Sequence, residues 1–177
     1  KNKKLTYKQT RILRKRNNRV DYYIYKSARI IIDYCIKNNI GNLVIGWTKN
    51  FKRKPNLCKK VKQTFTNMPF GKIKNRLEYL CKWYGIKCTL QEESYTSKAS
   101  FLDNDYIPTF GVDKNVKNTI IFSGIRKSRG LYETFSGIRL NADVNGAANI
   151  LRKSKVVSLI ALSHRGALNT PIRIRMK

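Results

Sequence analysis

Two acidic spots stand out in a chain that carries 38 Lys and Arg against 10 Asp and Glu, for a formal net charge of +28. The first is Asp143, in the segment LNADVNGAANILRK from Leu140 to Lys153, and the second is the pair Glu92 and Glu93 in LQEESYTSK. Where bases outnumber acids so heavily, acids that can approach each other carry information. A carboxylate at the end of a strand and another at the start of a following helix can converge on divalent cations. Paired ions of that kind activate a water and stabilise the leaving oxygen in phosphodiester hydrolysis. Magnesium prefers oxygen ligands, and bringing carboxylates together without a cation costs Coulomb repulsion. The local alternative for the helix start is capping by Asn141 or Asp143, since Ala147, Ala148, Ile150 and Leu151 follow as good helix formers.

Both acids need elements to hold them. Ile86 to Leu90 is an apolar, strand-like run that leads directly into Gln91, Glu92 and Glu93. Before it, Met68 and Pro69 introduce a helix whose stripe of Ile73, Leu77, Leu80, Cys81 and Tyr84 ends at Gly85, a C′ glycine. Before that, LVIGW places a short buried strand at Leu43 to Ile45. Strand, helix, strand of this length implies a parallel pair with a right-handed crossover, hence an α/β fold. Regular periodicity fades between Ser97 and Asn141. Short strands are expected at Ile120 to Phe122, Leu131 to Phe135 and Ile138 to Leu140, around turns at Gly124, Gly130 and Gly137, as a small antiparallel insert over about residues 97–140.

The N-terminal region is different in kind. Val20, Ile24, Ala28, Ile31 and Cys35 recur at three- and four-residue steps, which predicts a long basic amphipathic helix from about Tyr7 to Asn39, with a break expected near Asn17 and Asn18. Arg14, Arg16 and Arg19 lie on its basic side, where either water or a nucleic-acid backbone is the neighbour. Phe51 to Phe65 is a basic loop without a clear period. Beyond Lys155 come an apolar patch, Val156 to Leu162, and a basic end expected to be partly disordered. The reading is thus residues 1–40 as a basic helix region, 41–153 as the main α/β part, and 154–177 as a tail.

Composition bounds the partners. At 177 residues and 41% hydrophobic content the chain can bury one core. Its charge is spread along the whole length, which points to DNA or RNA. No apolar run reaches the roughly 18 residues of a membrane span, and the N-terminus lacks a signal-peptide core, so no membrane is expected and the location is intracellular, cytoplasmic or nucleoid-associated. The four cysteines, at 35, 58, 81 and 88, form no C-x-x-C pair, and His164 is far from them in sequence, so buried thiols are expected rather than a zinc site. Trp47 is the better candidate for stacking on bases, and Trp83, beside the apolar stripe, is expected to be buried. Ser97, Lys98 and Ser100 serve either turn hydrogen bonds or phosphate contacts.

VIGW, EESYTSKASFLDND, SGIRKSRGLY and NADVNGAANILRK, in that order, resemble the C-terminal part of the TnpB or OrfB family of transposon proteins, relatives of type V CRISPR effectors. The resemblance runs from roughly Arg14 to Lys153. It implies a partial RNase H-like (RuvC-like) nuclease domain that, guided by an RNA from the element, cleaves DNA with magnesium and three acids. By this resemblance Asp143 is the last acid. The middle acid usually closes the strand equivalent to LVIG, where this chain has Gly46, but in a subgroup it stands just before T-S-K, where Glu93 matches. Glu92 is the secondary candidate, since alternating strand side chains allow only one of the two to face the metal. Lys98, Arg126, Lys127 and Arg129 are then expected on phosphates.

Two departures follow from the same resemblance. The first acid, on a strand upstream of the basic helix, has no counterpart here, so the expectation is a C-terminal piece of a longer nuclease, or a decayed copy, inactive as given. The family's zinc ribbon, two C-x-x-C pairs before the last aspartate, is replaced by a glycine-punctuated region without cysteine, and zinc is not expected. The competing reading is a non-catalytic basic DNA- or RNA-binding protein or transposase remnant.

Overall fold

The computed structural model describes residues 5–48, 69–110, 112, 120–158, 171 and 174. It divides into two compact units, one of residues 1–43 and 52–88 and the other of residues 44–51 and 89–177. The expected basic loop at Phe51 to Phe65 and the tail beyond Ser158, apart from Pro171 and Ile174, lie outside the described residues. Among the described residues no helix is long and apolar enough to cross a membrane.

In the first unit α1 (Tyr7–Lys37) packs against α2 (Phe70–Trp83). A capping box starts α1: the Thr6 hydroxyl accepts from Gln9 N–H, and the Gln9 side chain accepts from Thr6 N–H. The helix runs unbroken through Asn17 and Asn18, because Asn costs only part of a kilocalorie in a helix interior and neighbouring turns carry it. Its buried stripe is Ile24, Ala28, Ile32 and Cys35, so Ile32 takes the core position expected of Ile31. From α2, Leu77, Leu80 and Cys81 meet that core, and Gly85 at φ +67° ends the helix as the C′ glycine. Trp83 is 71% exposed, against expectation: at 100° per residue it points about 110° away from the buried Leu77, Leu80 and Cys81, and it leans on Tyr79, ring centroids 6.1 Å apart. Burial raises the Cys81 thiol to about 12, with Cys88 and Cys35 adding to it.

β1 (Asn42–Gly46) and β2 (Lys87–Gln91) are neighbours in a two-stranded sheet. Lys87 N–H bonds Gly41 O at 2.8 Å and Trp47 N–H bonds Gln91 O at 2.7 Å. Both strands advance together between those bonds, so the pair is parallel as expected.

In the second unit β3 (Ile125–Ser128), β4 (Leu131–Glu133) and β5 (Arg139–Asn141) form an antiparallel meander, and α3 (Ala142–Ser154) follows directly. The glycine turns are where the sequence puts them, with Gly130 at φ +86° and Gly137 at φ +80°. The first strand is not. Ile120 to Phe122 forms no strand, and the pairing starts after Gly124, on the fully exposed IRKS run. Edge pairing here is set by the turn at Gly130 and by backbone bonds to β4, which apolar content cannot report. The core gathers Tyr132, Leu140 and Ala142 in one cluster, Phe101 and Ala148 in another, with Leu102 packed on both. The buried Tyr132 hydroxyl donates to Lys98 O at 2.8 Å.

Gly124 is a glycine of close approach. A Cβ there would sit 2.6 Å from Tyr132 Cε1 and 2.7 Å from the Glu133 carbonyl. One is a fully buried ring and the other is backbone, so neither can step aside. Gly124→Ala is therefore expected to destabilise the second unit by about 2 kcal/mol or more, the range of overpacked cores. Urea denaturation measures it, and a loss under about 0.5 kcal/mol would show that the meander shifts at little cost.

Candidate functional site

Gly46 closes β1, and Glu93 stands two residues past the end of β2. A Cβ on Gly46 would lie 2.8 Å from Glu93 Oε2 and 2.7 Å from Ile150 Cδ1. The Glu93 carboxylate thus fills the space into which a side chain at Gly46 would project. The Thr48 hydroxyl donates to Glu93 Oε1 at 3.3 Å and fixes that placement. Just beyond, Tyr95 adopts φ +65°, a conformation that costs a bulky residue about 1 kcal/mol or more and marks a tightly determined turn.

The partners of the other acids set Glu93 apart. Asp21 pairs with Lys72, Asp33 with Arg29, Glu78 with Lys74, and Glu133 with both Lys127 and Arg139. Asp103 accepts from Phe135 N–H and Asp105 from Ser100 and Ser123 N–H, so the two acids of FLDND hold turns. Glu93 is half-buried, and among the described residues it has neither a basic partner nor a backbone N–H, only the Thr48 hydroxyl.

The two glutamates, successive residues just past β2, turn to different partners. Glu92 turns to Lys153 of α3, whose ammonium also donates to Pro108 O at 2.9 Å, and Glu92 accepts from Ser94 N–H at 2.7 Å. Burial pushes the Glu92 carboxyl up, but the Lys153 ammonium and the Ser94 bonds outweigh it and hold the group below the usual carboxylate range. A carboxyl depressed in the folded state stabilises above its unfolded pKa and loses that contribution as pH falls through the folded value. The second unit is therefore expected to lose stability below about pH 4.3, the ordinary glutamate value, and Lys153→Met to flatten that limb of an acid-denaturation curve. An unchanged limb would remove the ion pair from the account.

Asn141 caps α3, its side chain accepting from Asp143 N–H at 2.9 Å and Val144 N–H at 3.1 Å. The local alternative therefore falls to Asn141, and the Asp143 carboxylate, 84% exposed, is left to solvent and to Arg126 at 3.6 Å. Asp143, Gly146 and Ile150 share one face of α3, because seven residues make almost two whole turns. A Cβ on Gly146 would meet nothing within 4 Å, so that face is open between Asp143 and the point where Ile150 touches the Gly46 and Glu93 site. Among the described residues no group of three or more His, Cys, Asp or Glu is placed to hold an ion.

The expected phosphate contacts divide. Arg14, Arg16 and Arg19 are exposed on α1, and Lys98 is exposed in the turn after Tyr95. In the meander Arg126 faces Asp143, Lys127 pairs with Glu133 at 3.1 Å, and Arg129 is exposed in the β3 to β4 turn. Ser100 is buried, and its hydroxyl accepts from Asp103 N–H, which settles its turn role. Asn145 and Asn149, in the NADVNGAANILRK segment and expected to cap and pack rather than react, are both buried and hydrogen-bonded to the segment 96–101. Sequence reasoning missed Thr48 and Lys153, whose types carry no signal before the chain has folded.

Comparisons with known proteins bear on this region. Residues 70–150 match the family model for the Cas12f1-like TNB domain. The span opens with α2 and takes in Glu93, the meander and Asp143. A solved structure, described as the cryo-EM structure of the Cas12f1-sgRNA-target DNA complex, matches with a TM-score of 0.58 and 22% identity over 85% of this chain. The likeness extends over 38% of that Cas12f1 chain, so this chain spans well under half its length. No curated protein matches significantly. The TNB-domain match and the Cas12f1-like mixed helix and sheet fold support the relation to TnpB and Cas12 proteins that the motifs suggest.

Proposed function

We propose that this chain is the C-terminal part of an RNA-guided DNA endonuclease of the TnpB/OrfB type, with Glu93 and Asp143 as two of the three acids of a RuvC-like nuclease site. The observation that carries this is the half-buried Glu93 carboxylate, without a basic partner among the described residues of a chain of net charge +28, lying where a Gly46 side chain would project. The subgroup in which the middle acid has moved from the first strand to the position before T-S-K fits that placement. Residues 41–153 then form the RuvC-like part, with the insert over about 97–140, residues 1–40 its basic helix and 154–177 its tail. Zinc has no part in it.

The donor set fits magnesium in kind: two carboxylates, which are hard oxygen ligands, one just past β2 and one on the open first turn of α3. Glu93 and Asp143 would hold it, and when bound it supplies an activated water and a stabilised leaving oxygen. The chain's own residues do the positioning. Thr48 keeps the Glu93 carboxylate turned over Gly46, Lys153 draws Glu92 away from it, and Asn141 leaves the Asp143 carboxylate clear of capping. Guide RNA and target DNA are the partners proposed, with Arg14, Arg16, Arg19, Lys98 and Arg129 on phosphates.

The second reading, a DNA- or RNA-binding protein or transposase remnant that does no chemistry, draws on the Asp143 to Arg126 ion pair, which occupies the helix-start acid with a base. Since the chain carries two of the three expected acids, it is expected not to cut DNA alone. Calorimetric titration with magnesium separates the readings: binding abolished by Glu93→Gln and by Asp143→Asn supports the nuclease, and binding unchanged in both leaves the binding module.

A further inference from the structure

A cavity of about 450 Å³ opens beside the acidic site, lined by Trp47, Thr48, Leu90, Glu92, Ser94 and Phe110. Its size falls within the roughly 300–1,000 Å³ of small-molecule sites. Three of its walls are apolar, and two of those stand open to solvent, Phe110 at 67% and Leu90 at 40% exposure. An exposed aromatic ring, with the half-buried Trp47 beside the same cavity, in so basic a chain suits a ligand with an apolar face and an anionic backbone. One wall touches the proposed chemistry directly, because the Thr48 hydroxyl bonds Glu93 Oε1. Another wall, Ser94, donates its backbone N–H to Glu92, which is itself tied to Lys153. The polar rim is thereby fixed before any ligand arrives.

We infer that this cavity receives one unpaired base of a single nucleic-acid strand, stacked against Trp47 and Phe110. Every base has a π-face, so such a pocket accepts any sequence, and the net charge of +28 complements the phosphates that flank the base. A base seated there places a neighbouring phosphate at the Thr48 edge, next to Glu93. The inference rests on the nuclease reading only for what happens to that phosphate, and docking of the base needs neither magnesium nor cleavage.

The full chain is titrated into a single-stranded DNA oligonucleotide carrying one 2-aminopurine, without magnesium and at salt high enough to screen the phosphate contacts. An RNA oligonucleotide of the same sequence tells the two strand sources apart. Quenching is expected in the parent chain and in Trp83→Leu. Phe110→Ala and Trp47→Leu are each expected to weaken it roughly tenfold, the order of one lost base–aromatic stack. Phe110 is exposed, so its replacement does not threaten folding. A second oligonucleotide with 5-iodouracil is crosslinked by light and mapped by mass spectrometry, with adducts expected on Trp47 or Phe110. Quenching unaffected by either substitution, or adducts confined to Trp83 and the α1 tyrosines, would overturn the inference. Such a failure, with magnesium binding intact, leaves the nuclease reading standing. Docking that persists where magnesium does not bind removes the nuclease reading and keeps the pocket.

Discussion

Replacing Asn145 with alanine is expected to destabilise the second unit by about 3 kcal/mol, the upper range for stranding a buried polar group. Asn145 is fully buried, with its Oδ1 accepting from Phe101 N–H at 3.0 Å and its Nδ2 donating to Ala99 O at 2.8 Å. Asn149, one turn on and equally buried, donates to Thr96 O at 2.9 Å and to Ala99 O at 2.7 Å. With Asn145 gone the Phe101 N–H has no acceptor, while Ala99 O keeps Asn149. With both gone, Ala99 O is stranded too. The double variant should therefore lose more than the sum of the two singles, by roughly 0.5 kcal/mol or more, as expected for residues sharing one partner. Asn145→Asp should be no better than alanine: it keeps the acceptor for Phe101 but sets a second oxygen, and a charge, against the Ala99 carbonyl. Denaturation followed by Trp47 fluorescence in a Trp83→Phe background reads this unit. A loss under about 1 kcal/mol, or strict additivity, would mean that the amides are incidental. The functional weight of the pair is geometric. It locks the segment 96–101, which starts three residues after Glu93, onto the helix that carries Asp143, so both acids sit on one body.

The clamp also shows where a sequence stops being readable. The helices and both central strands follow from local periodicity and punctuation, which act within a few residues: the stripe on α1, Gly85 past α2, the glycines of the meander. Ile31 against Ile32, and Trp83 against the stripe, are errors of one helical step, because periodicity gives a face about 100° wide and packing decides within it. The strand misplaced at Ile120 failed for a different reason, since β3 has no buried apolar residue and is held by register to β4. At the candidate site, Glu93 and Asp143 could be singled out by type, and Glu92 and Glu93 do face different partners, although both lie past the end of β2. The Asn141 cap was legible only as one of two candidates. Thr48 and Lys153 were not legible at all, because a hydroxyl 45 residues upstream and an ammonium 61 residues downstream meet the glutamates only after the chain has folded.

The acid at the end of β2 should be transferable to the end of β1. A Gly46 Cβ point lies 2.8 Å from Glu93 Oε2, and an aspartate in place of that glycine carries its oxygens two bonds from Cβ, so its carboxylate reaches the same space. Gly46→Ala alone is expected to abolish magnesium binding about as fully as Glu93→Gln does, because its methyl group must drive the Glu93 carboxylate away. Its cost in stability should stay near 1 kcal/mol, since the other obstacle is the flexible tip of Ile150. Gly46→Asp alone should be worse than either: it packs two carboxylates into one space, where like charge forces one of them to stay protonated. Adding Glu93→Ala to Gly46→Asp removes the crowding and the repulsion together, and binding is expected to return to within about tenfold of the parent chain, a difference of about 1.4 kcal/mol. Calorimetry on these variants and the parent measures the cycle. The sign is what decides: Glu93→Ala is harmful in the parent chain and restorative in the Gly46→Asp background. A double variant that binds no better than Glu93→Ala, or a Gly46→Ala chain that binds as the parent does, would mean that the Glu93 carboxylate and the end of β1 do not serve one ion.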